Sequence, residues 1–193
     1  MILPLAISCV SVESRFVFDI NGTGQLHLKY RLDAMLMELG STISDQAVLS
    51  PITERNFLDV VKEGNGLELI DYRRVEEKDA TIILVTLNFD RVDLLAKIPS
   101  FPFLKLSSKE NGSATFELKI GDNDVGPVPN DELFSVFDGL LGNHTVSFVI
   151  ETPRIILESN HGIISDDGRE LTVSILLSDY IRGTNPRDLE VNW

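Results

Sequence analysis

The stretch from Phe16 to Leu32 constrains the fold of this chain more than any other. Apolar and polar residues alternate on both sides of the sequence Asn21-Gly22-Thr23-Gly24. Side chains alternate between the two faces of a strand, and Asn-Gly supplies the positive φ angles that a tight turn needs. The apolar members are Phe16, Phe18, Ile20, Leu26, Leu28, Tyr30 and Leu32. The stretch therefore predicts a β-hairpin with one buried face, on which these residues lie, and one wetter face.

Two further pairs of alternating segments follow this hairpin. Leu67 to Glu76 is predicted to pair with Ala80 to Phe89, and Phe103 to Ser108 with Ala114 to Ile120. Apolar residues at helical spacing predict helices near residues 32–39, 50–64, 90–98 and 130–142. Hairpins with short turns require antiparallel pairing, and helices between them must cover a face. The predicted class is therefore α+β, a mainly antiparallel sheet built from hairpins with its helices packed on one face.

Length, composition and charge limit the number of domains and the kinds of partner. The 193 residues, of which 43% are hydrophobic, predict a single α+β domain over residues 10–193. The formal net charge of −13 excludes a surface that binds nucleic-acid phosphates, because such surfaces depend on Lys and Arg. The same charge disfavours attachment to anionic lipid through a basic patch. Any membrane anchor is therefore expected to be hydrophobic.

The N-terminus carries a candidate anchor. Met1 to Ser8 is a mostly apolar run, and Cys9, the single cysteine, follows it. A full secretory signal has a basic start, whereas no Lys or Arg precedes Cys9. We therefore interpret residues 1–9 as the remnant of a lipoprotein signal peptide that ends at the lipidation site, Cys9. The alternative is a first strand from Ile2 to Val12 in which Cys9 is a small buried hydrophobe.

Two turn motifs are shared with a known family. The first is the glycine turn from Phe18 to Gly24, and the second runs from Pro153 to Gly162 with Asp167-Gly168 after it. Both are similar to motifs of the LppM-like lipoproteins, and the sequence before Cys9 is similar to the loose signal boxes of spirochaetal lipoproteins. The resemblance implies a bacterial cell-envelope lipoprotein, anchored to the membrane by its lipid and either periplasmic or surface-exposed. It further implies binding of a lipid or another hydrophobic ligand, and no catalytic residues.

Motifs of catalysis and metal binding are weak in this sequence. The three histidines, His27, His144 and His161, lack the i, i+4 spacing of a helical zinc site. Asp122-Asn123-Asp124 is similar to part of a calcium loop, but Leu133 stands where that loop needs a glutamate. The sequence contains neither a nucleophile elbow nor a phosphate loop. We therefore predict a protein that is not an enzyme and has no catalytic residue, cofactor or metal site.

The segment from Ile98 to Leu104 is the candidate ligand site. Pro99 and Pro102 prevent a regular helix or a central strand there, yet the segment carries Phe101 and Phe103. These two side chains are predicted to line the mouth of an apolar pocket that admits a lipid chain. The alternative is that the segment packs as a lid over the end of the core.

Three functions remain open from the sequence. An envelope lipoprotein that binds a lipid or other hydrophobic ligand comes first, a protein-interaction module of an envelope assembly second, and a hydrolase with dispersed carboxylates third. An enclosed apolar pocket favours the first function, and a filled core with an exposed apolar patch favours the second. A cleft with convergent, perturbed carboxylates favours the third.

Overall fold

The computed structural model describes residues 11–33, 53–98, 101, 103–109, 112–120, 144–182, 186 and 188–193. Within these ranges the chain is mostly β-strand. The strands are β1 (Ser11–Phe18), β2 (Gly24–Asp33), β3 (Leu67–Glu76), β4 (Ala80–Phe89), β5 (Leu104–Ser108), β6 (Ala114–Lys119), β7 (Thr145–Glu151), β8 (Glu158–Ser159), β9 (Ile163–Ile164), β10 (Glu170–Leu176) and β11 (Asp188–Asn192). The helical segments are α1 (Glu54–Glu63), a 3₁₀ helix (Val92–Lys97) and α2 (Leu177–Arg182).

These strands form two sheets. The larger sheet has the order β3-β4-β2-β1-β7-β10-β9, and the smaller sheet has the order β5-β6-β11-β8. Paired strands are antiparallel except β1 and β7, which run parallel at the centre of the larger sheet. The pairing of β1 with β7 therefore joins the N-terminal hairpins to the C-terminal strands.

The three predicted hairpins are confirmed. In the first, Phe16 lies opposite Leu26, and the chain turns through Gly22 at a φ of +83°. The turn is fixed by Asp19, whose carboxylate accepts the Asn21 N–H at 2.7 Å. Because the turn begins at Asp19, the strand ends before Ile20, and that side chain is 67% exposed. The prediction that Ile20 shares the buried face is therefore wrong.

The predicted fold class is wrong as well. The described residues form two packed sheets with three short helical segments, not one sheet with helices packed on a face. The hairpin of β5 and β6 pairs with the C-terminal strand β11 and not with the preceding hairpins. Local alternation determines which residues of a strand face the core, but it does not determine which strand becomes the neighbour. The α+β prediction failed at that long-range step.

Aromatic side chains join the two sheets. The ring centroid of Phe116, on β6, lies 5.5 Å from that of Phe16 and 5.1 Å from that of Phe18. Trp193 lies 5.5 Å from Phe18, and all four side chains are buried. Pairs at such separations add about 0.5–1.5 kcal/mol each beyond the burial of area. The core is therefore the apolar layer between the sheets.

The helical segments are short, and each contributes buried side chains to the core: Phe57 from α1, Val92 and Leu95 from the 3₁₀ helix, and Leu177 from α2. α1 begins after Thr53, whose side chain accepts the Asn56 N–H in a capping box, and its Phe57 ring lies 6.3 Å from Tyr72 on β3. The predicted helix at 50–64 is therefore present with a later start, and the 3₁₀ helix stands in place of the one predicted at 90–98. The helix predicted at 130–142, and all but the start of that at 32–39, lie outside the described residues. No helix in the described ranges is long and apolar enough to cross a membrane.

Candidate functional site

A polar cleft lies at the end of the larger sheet where β7 stops and β10 starts. Its volume is about 430 Å³. The residues that line it are Arg15, Phe18, Glu151, Thr152, Pro153, Asp167, Arg169 and Glu170. Small-ligand sites have volumes of about 300–1,000 Å³, but their walls are mostly apolar. This cleft therefore has the size of a small-ligand site and the chemistry of a charged surface.

Arg15 connects three strands beside the cleft. Its Nη2 atom donates to Glu151 Oε2 at 2.7 Å and to Glu170 Oε2 at 2.8 Å. Glu151 and Glu170 stand directly opposite each other on β7 and β10, a position in which like charges repel. The hydrogen bond to Glu151 raises the pKa of Arg15, although partial burial opposes the shift. One guanidinium therefore offsets the repulsion between two carboxylates.

The turn between β9 and β10 brings Asp167 and Arg169 to the cleft. Gly168 makes the turn possible with a φ of +71°. The Asp167 carboxylate accepts hydrogen bonds from the Ser165 hydroxyl at 2.6 Å and the Arg169 N–H at 3.1 Å. The hydrogen bond from the Ser165 hydroxyl is the main cause that lowers the pKa of Asp167, and the bond from the Arg169 N–H adds to it. The turn therefore holds Asp167 in place as an anion.

Thr152 links the end of β7 to the start of β10 by hydrogen bonds. Its side chain is buried, and its hydroxyl lies 2.7 Å from the Arg154 carbonyl oxygen and 3.1 Å from that of Arg169. Its backbone N–H also donates to the Arg169 carbonyl at 2.9 Å. Because the hydroxyl is directed at backbone carbonyl oxygens, which are not general bases, it is poorly placed to act as a nucleophile.

His27 stands next to Arg15 on the neighbouring strand β2. Its Nδ1 atom lies 3.1 Å from the Thr86 hydroxyl. Partial burial lowers the pKa of His27, the positive charge of Arg15 lowers it further, and Glu151 partly offsets both effects. The imidazole is therefore mainly neutral at pH 7.

The two residues predicted to bind a ligand have different environments. Phe101 is 1% exposed, and its ring packs edge to face on Phe16 at 5.4 Å. Phe103 is 39% exposed, and the Lys119 Nζ atom lies 6.0 Å from the centroid of its ring. One ring is therefore in the core and the other at the surface. Ligand binding by this pair stays a prediction, and the predicted lipidation site Cys9 lies outside the described residues.

The remaining candidate residues are two histidines and the acidic loop. His144 is buried and His161 is exposed. Across the part of the chain that the structure describes, no group of three or more His, Cys, Asp or Glu side chains could hold a metal ion. The loop at Asp122-Asn123-Asp124 falls outside that part. The two histidines therefore have different environments.

Sequence reasoning missed the charged residues of the polar cleft. Arg15 is 136 positions from Glu151 and 155 positions from Glu170 along the chain. Only the parallel pairing of β1 with β7 brings them together. The available signal was local: Arg15 directly precedes the predicted hairpin, and Glu170 follows the Asp-Gly turn. Recognising the cleft required the strand order as well.

Two exposed apolar side chains stand on the segment that follows the cleft residue Pro153. Ile155 is 60% exposed and Leu157 is 76% exposed, whereas Ile156 between them is buried. A Cβ atom placed on Gly168 would lie 3.1 Å from Ile155 Cγ2, so Ile155 packs on the turn that carries Asp167 and Arg169. We call Ile155 and Leu157 the apolar rim. Grouped apolar side chains on a surface are typical of interaction sites.

Comparisons with known proteins relate this chain to solved structures. Neither a protein-family model nor a curated protein sequence matches the chain. Among solved structures, the chain is similar to the folded domain of LppM from Mycobacterium tuberculosis, determined by NMR, with a TM-score of 0.51 and 10% sequence identity. The match covers 100% of this chain and 93% of that one. At this identity the likeness shows a shared fold, which is also what the two turn motifs predicted.

Proposed function

We propose that this chain is the folded domain of a bacterial cell-envelope lipoprotein, anchored through Cys9, and that it acts by binding another envelope protein. The observation that carries the proposal is the match in fold to LppM over the whole chain. A fold by itself does not determine function, so the proposal also depends on the apolar run that ends at Cys9. Both features agree with a domain held at an envelope membrane by a lipid.

Among the described residues, the packing between the two sheets favours an interaction module over a lipid carrier. A lipid carrier needs an enclosed apolar space, whereas the space around Phe101 is filled by packed rings such as Phe16. The apolar rim beside the polar cleft supplies the exposed patch that an interaction module needs. Binding of a lipid at Phe101 and Phe103 remains the second candidate, and the exposed ring of Phe103 is the observation in its favour.

The proposed domain is not an enzyme. Two of the three carboxylates of the polar cleft are paired with one guanidinium, that of Arg15. The hydroxyl of Thr152 is bonded to backbone carbonyls. A hydrolase site would need a nucleophile or a water-activating base in contact with a reacting group. The described cleft is therefore better suited to recognition than to catalysis.

Mass spectrometry of the protein isolated from its native host tests the anchor. We expect a mature chain that begins at Cys9 and carries fatty acyl groups, because the signal peptide is removed when a lipoprotein matures. Treatment that cleaves ester-linked acyl chains should reduce the mass by the corresponding amount. An unmodified Cys9 within an intact N-terminus would contradict the proposal.

A further inference from the structure

We propose that the polar cleft and the apolar rim form one docking surface for a protein segment that presents a lysine or arginine flanked by apolar side chains. This inference deepens the proposed function, because it names the chemistry of the partner that the interaction module binds. It is carried by the charge of the cleft and by the position of the rim.

The charge of the cleft favours a cationic side chain. Its walls carry the carboxylates of Glu151, Asp167 and Glu170 against the guanidiniums of Arg15 and Arg169. Glu151 and Glu170 face each other directly, and each uses only its Oε2 atom to bind Arg15. A second cation placed between them would further reduce the repulsion of this pair. The formal charge of −13 on the whole chain attracts a cationic segment from a distance as well.

The apolar rim extends this surface beyond the cleft. Ile155 contacts the turn of Gly168, which stands between the cleft residues Asp167 and Arg169. Leu157, two residues further along the chain, is also exposed, and the buried Ile156 anchors the segment between them. An N–H group of Ile156 donates to the Gly168 carbonyl at 2.7 Å and holds the segment to the turn. A bound chain could therefore place one side chain in the cleft and its neighbour on the rim.

Other occupants fit this surface less well. A second copy of the chain would bring another formal charge of −13 to the interface, and anionic lipid would be repelled in the same way. A purely apolar ligand would leave the charged cleft unused. A cationic and apolar protein segment satisfies both parts of the surface.

Three tripeptides with acetylated and amidated ends test the proposal. Each has leucine at both ends, and the central residue is lysine, norleucine or glutamate. We would titrate each into the isotope-labelled 193-residue chain and follow the backbone amides by NMR. The lysine peptide should shift residues of the cleft and rim and bind about threefold more tightly than the norleucine peptide, which is the size of effect expected for an exposed ion pair. The glutamate peptide should bind most weakly, and added salt should reduce the difference.

Matched variants locate the binding surface. Glu170→Gln should weaken the lysine peptide about threefold and leave the norleucine peptide unchanged. Glu68→Gln makes the same change of charge on β3, at the other edge of the larger sheet, and should leave both affinities unchanged. Leu157→Ser should weaken all three peptides. The dispersion of the amide spectrum shows whether each variant is folded.

Several results would overturn the inference. These are equal binding of all three peptides, amide shifts away from the cleft, or an equal effect of Glu68→Gln and Glu170→Gln. Self-association in sedimentation that Leu157→Ser abolishes would assign the surface to a second copy, and binding to phosphatidylcholine vesicles that the same variant abolishes would assign it to a bilayer. The peptides do not require an acylated Cys9. A failure of docking is thus distinguishable from a failure of the envelope assignment, which mass spectrometry reports independently.

Discussion

Replacing Phe101 by alanine tests whether this residue belongs to the core or to a ligand site. The side chain is 1% exposed and packs edge to face on Phe16. Removing a fully buried phenylalanine costs about 3–5 kcal/mol, because the loss of burial is added to the cavity that remains. In a protein of this size, 1 kcal/mol corresponds to about 2–4 °C in the thermal midpoint. We therefore expect Phe101→Ala to lower the midpoint by roughly 6–20 °C.

The matched control is Phe103→Ala, two residues further along the chain. Its ring is 39% exposed and its charged neighbour, Lys119, lies 6.0 Å from the ring centroid. An exposed cation–π contact contributes about 0.5–1 kcal/mol, so the midpoint should fall by no more than a few degrees. Urea denaturation followed by circular dichroism would give the free energy of unfolding of both variants and of the parent chain.

A fluorescent fatty acid separates the two interpretations of this segment. If Phe101 belongs to the core, the parent chain should not bind the probe at this residue, and the variant should be less stable. If Phe101 lines a pocket mouth, Phe101→Ala should weaken binding of the probe while the thermal midpoint stays nearly unchanged. Equal stability losses in the Phe101 and Phe103 variants would also refute the reasoning, because it depends on their different exposure.

Two substitutions and one titration test other parts of the structure. Arg15→Met removes the cation shared by two facing glutamates and should cost about 1 kcal/mol at pH 7, measured by urea denaturation, with a smaller loss at pH 4 where carboxylates begin to protonate. The lowered pKa of His27 means that the unfolded chain binds the proton more readily. Stability from this residue is therefore present above pH 6.5 and is lost as the pH falls through the folded pKa; a midpoint at or above 6.5 in an NMR titration of the ring would contradict this. Gly22→Ala should destabilise by about 1–2 kcal/mol, because φ is +83° and the new Cβ would lie 2.9 Å from Leu106 Cδ2; an unchanged urea midpoint would show that the turn relaxes freely.

The hairpins could be predicted because their determinants are local. Phe16 and Leu26 belong to alternating patterns on either side of Asn21-Gly22, and the structure pairs them as those patterns require. Ile20 is exposed because the turn starts at Asp19, where the carboxylate binds the Asn21 N–H. The alternation of apolar and polar residues does not reveal where the turn starts.

The arrangement of hairpins into sheets could not be predicted, because it depends on contacts between distant parts of the chain. β6 carries the buried Phe116 and Leu118 in an alternating pattern that suits any sheet with a free edge. Besides β5, its partner is β11 at the C-terminal end of the sequence, where Leu189 stands opposite Leu118. The polar cleft depends on the same kind of contact, so the sequence alone offered Arg15 and Glu170 only as unrelated surface charges.

The parallel pairing at the centre of the larger sheet has a consequence for the order of folding. Val12 on β1 pairs with Val146 on β7, so the two strands are separated by more than half of the 193-residue chain. The first hairpin can form early, but loop closure over such a distance is slow, and β1 keeps an unpaired edge until β7 arrives. During synthesis at about 5–20 residues per second, that interval is on the order of ten seconds. Over this time the central strand of the mature sheet is an edge strand, open to pairing with other nascent chains.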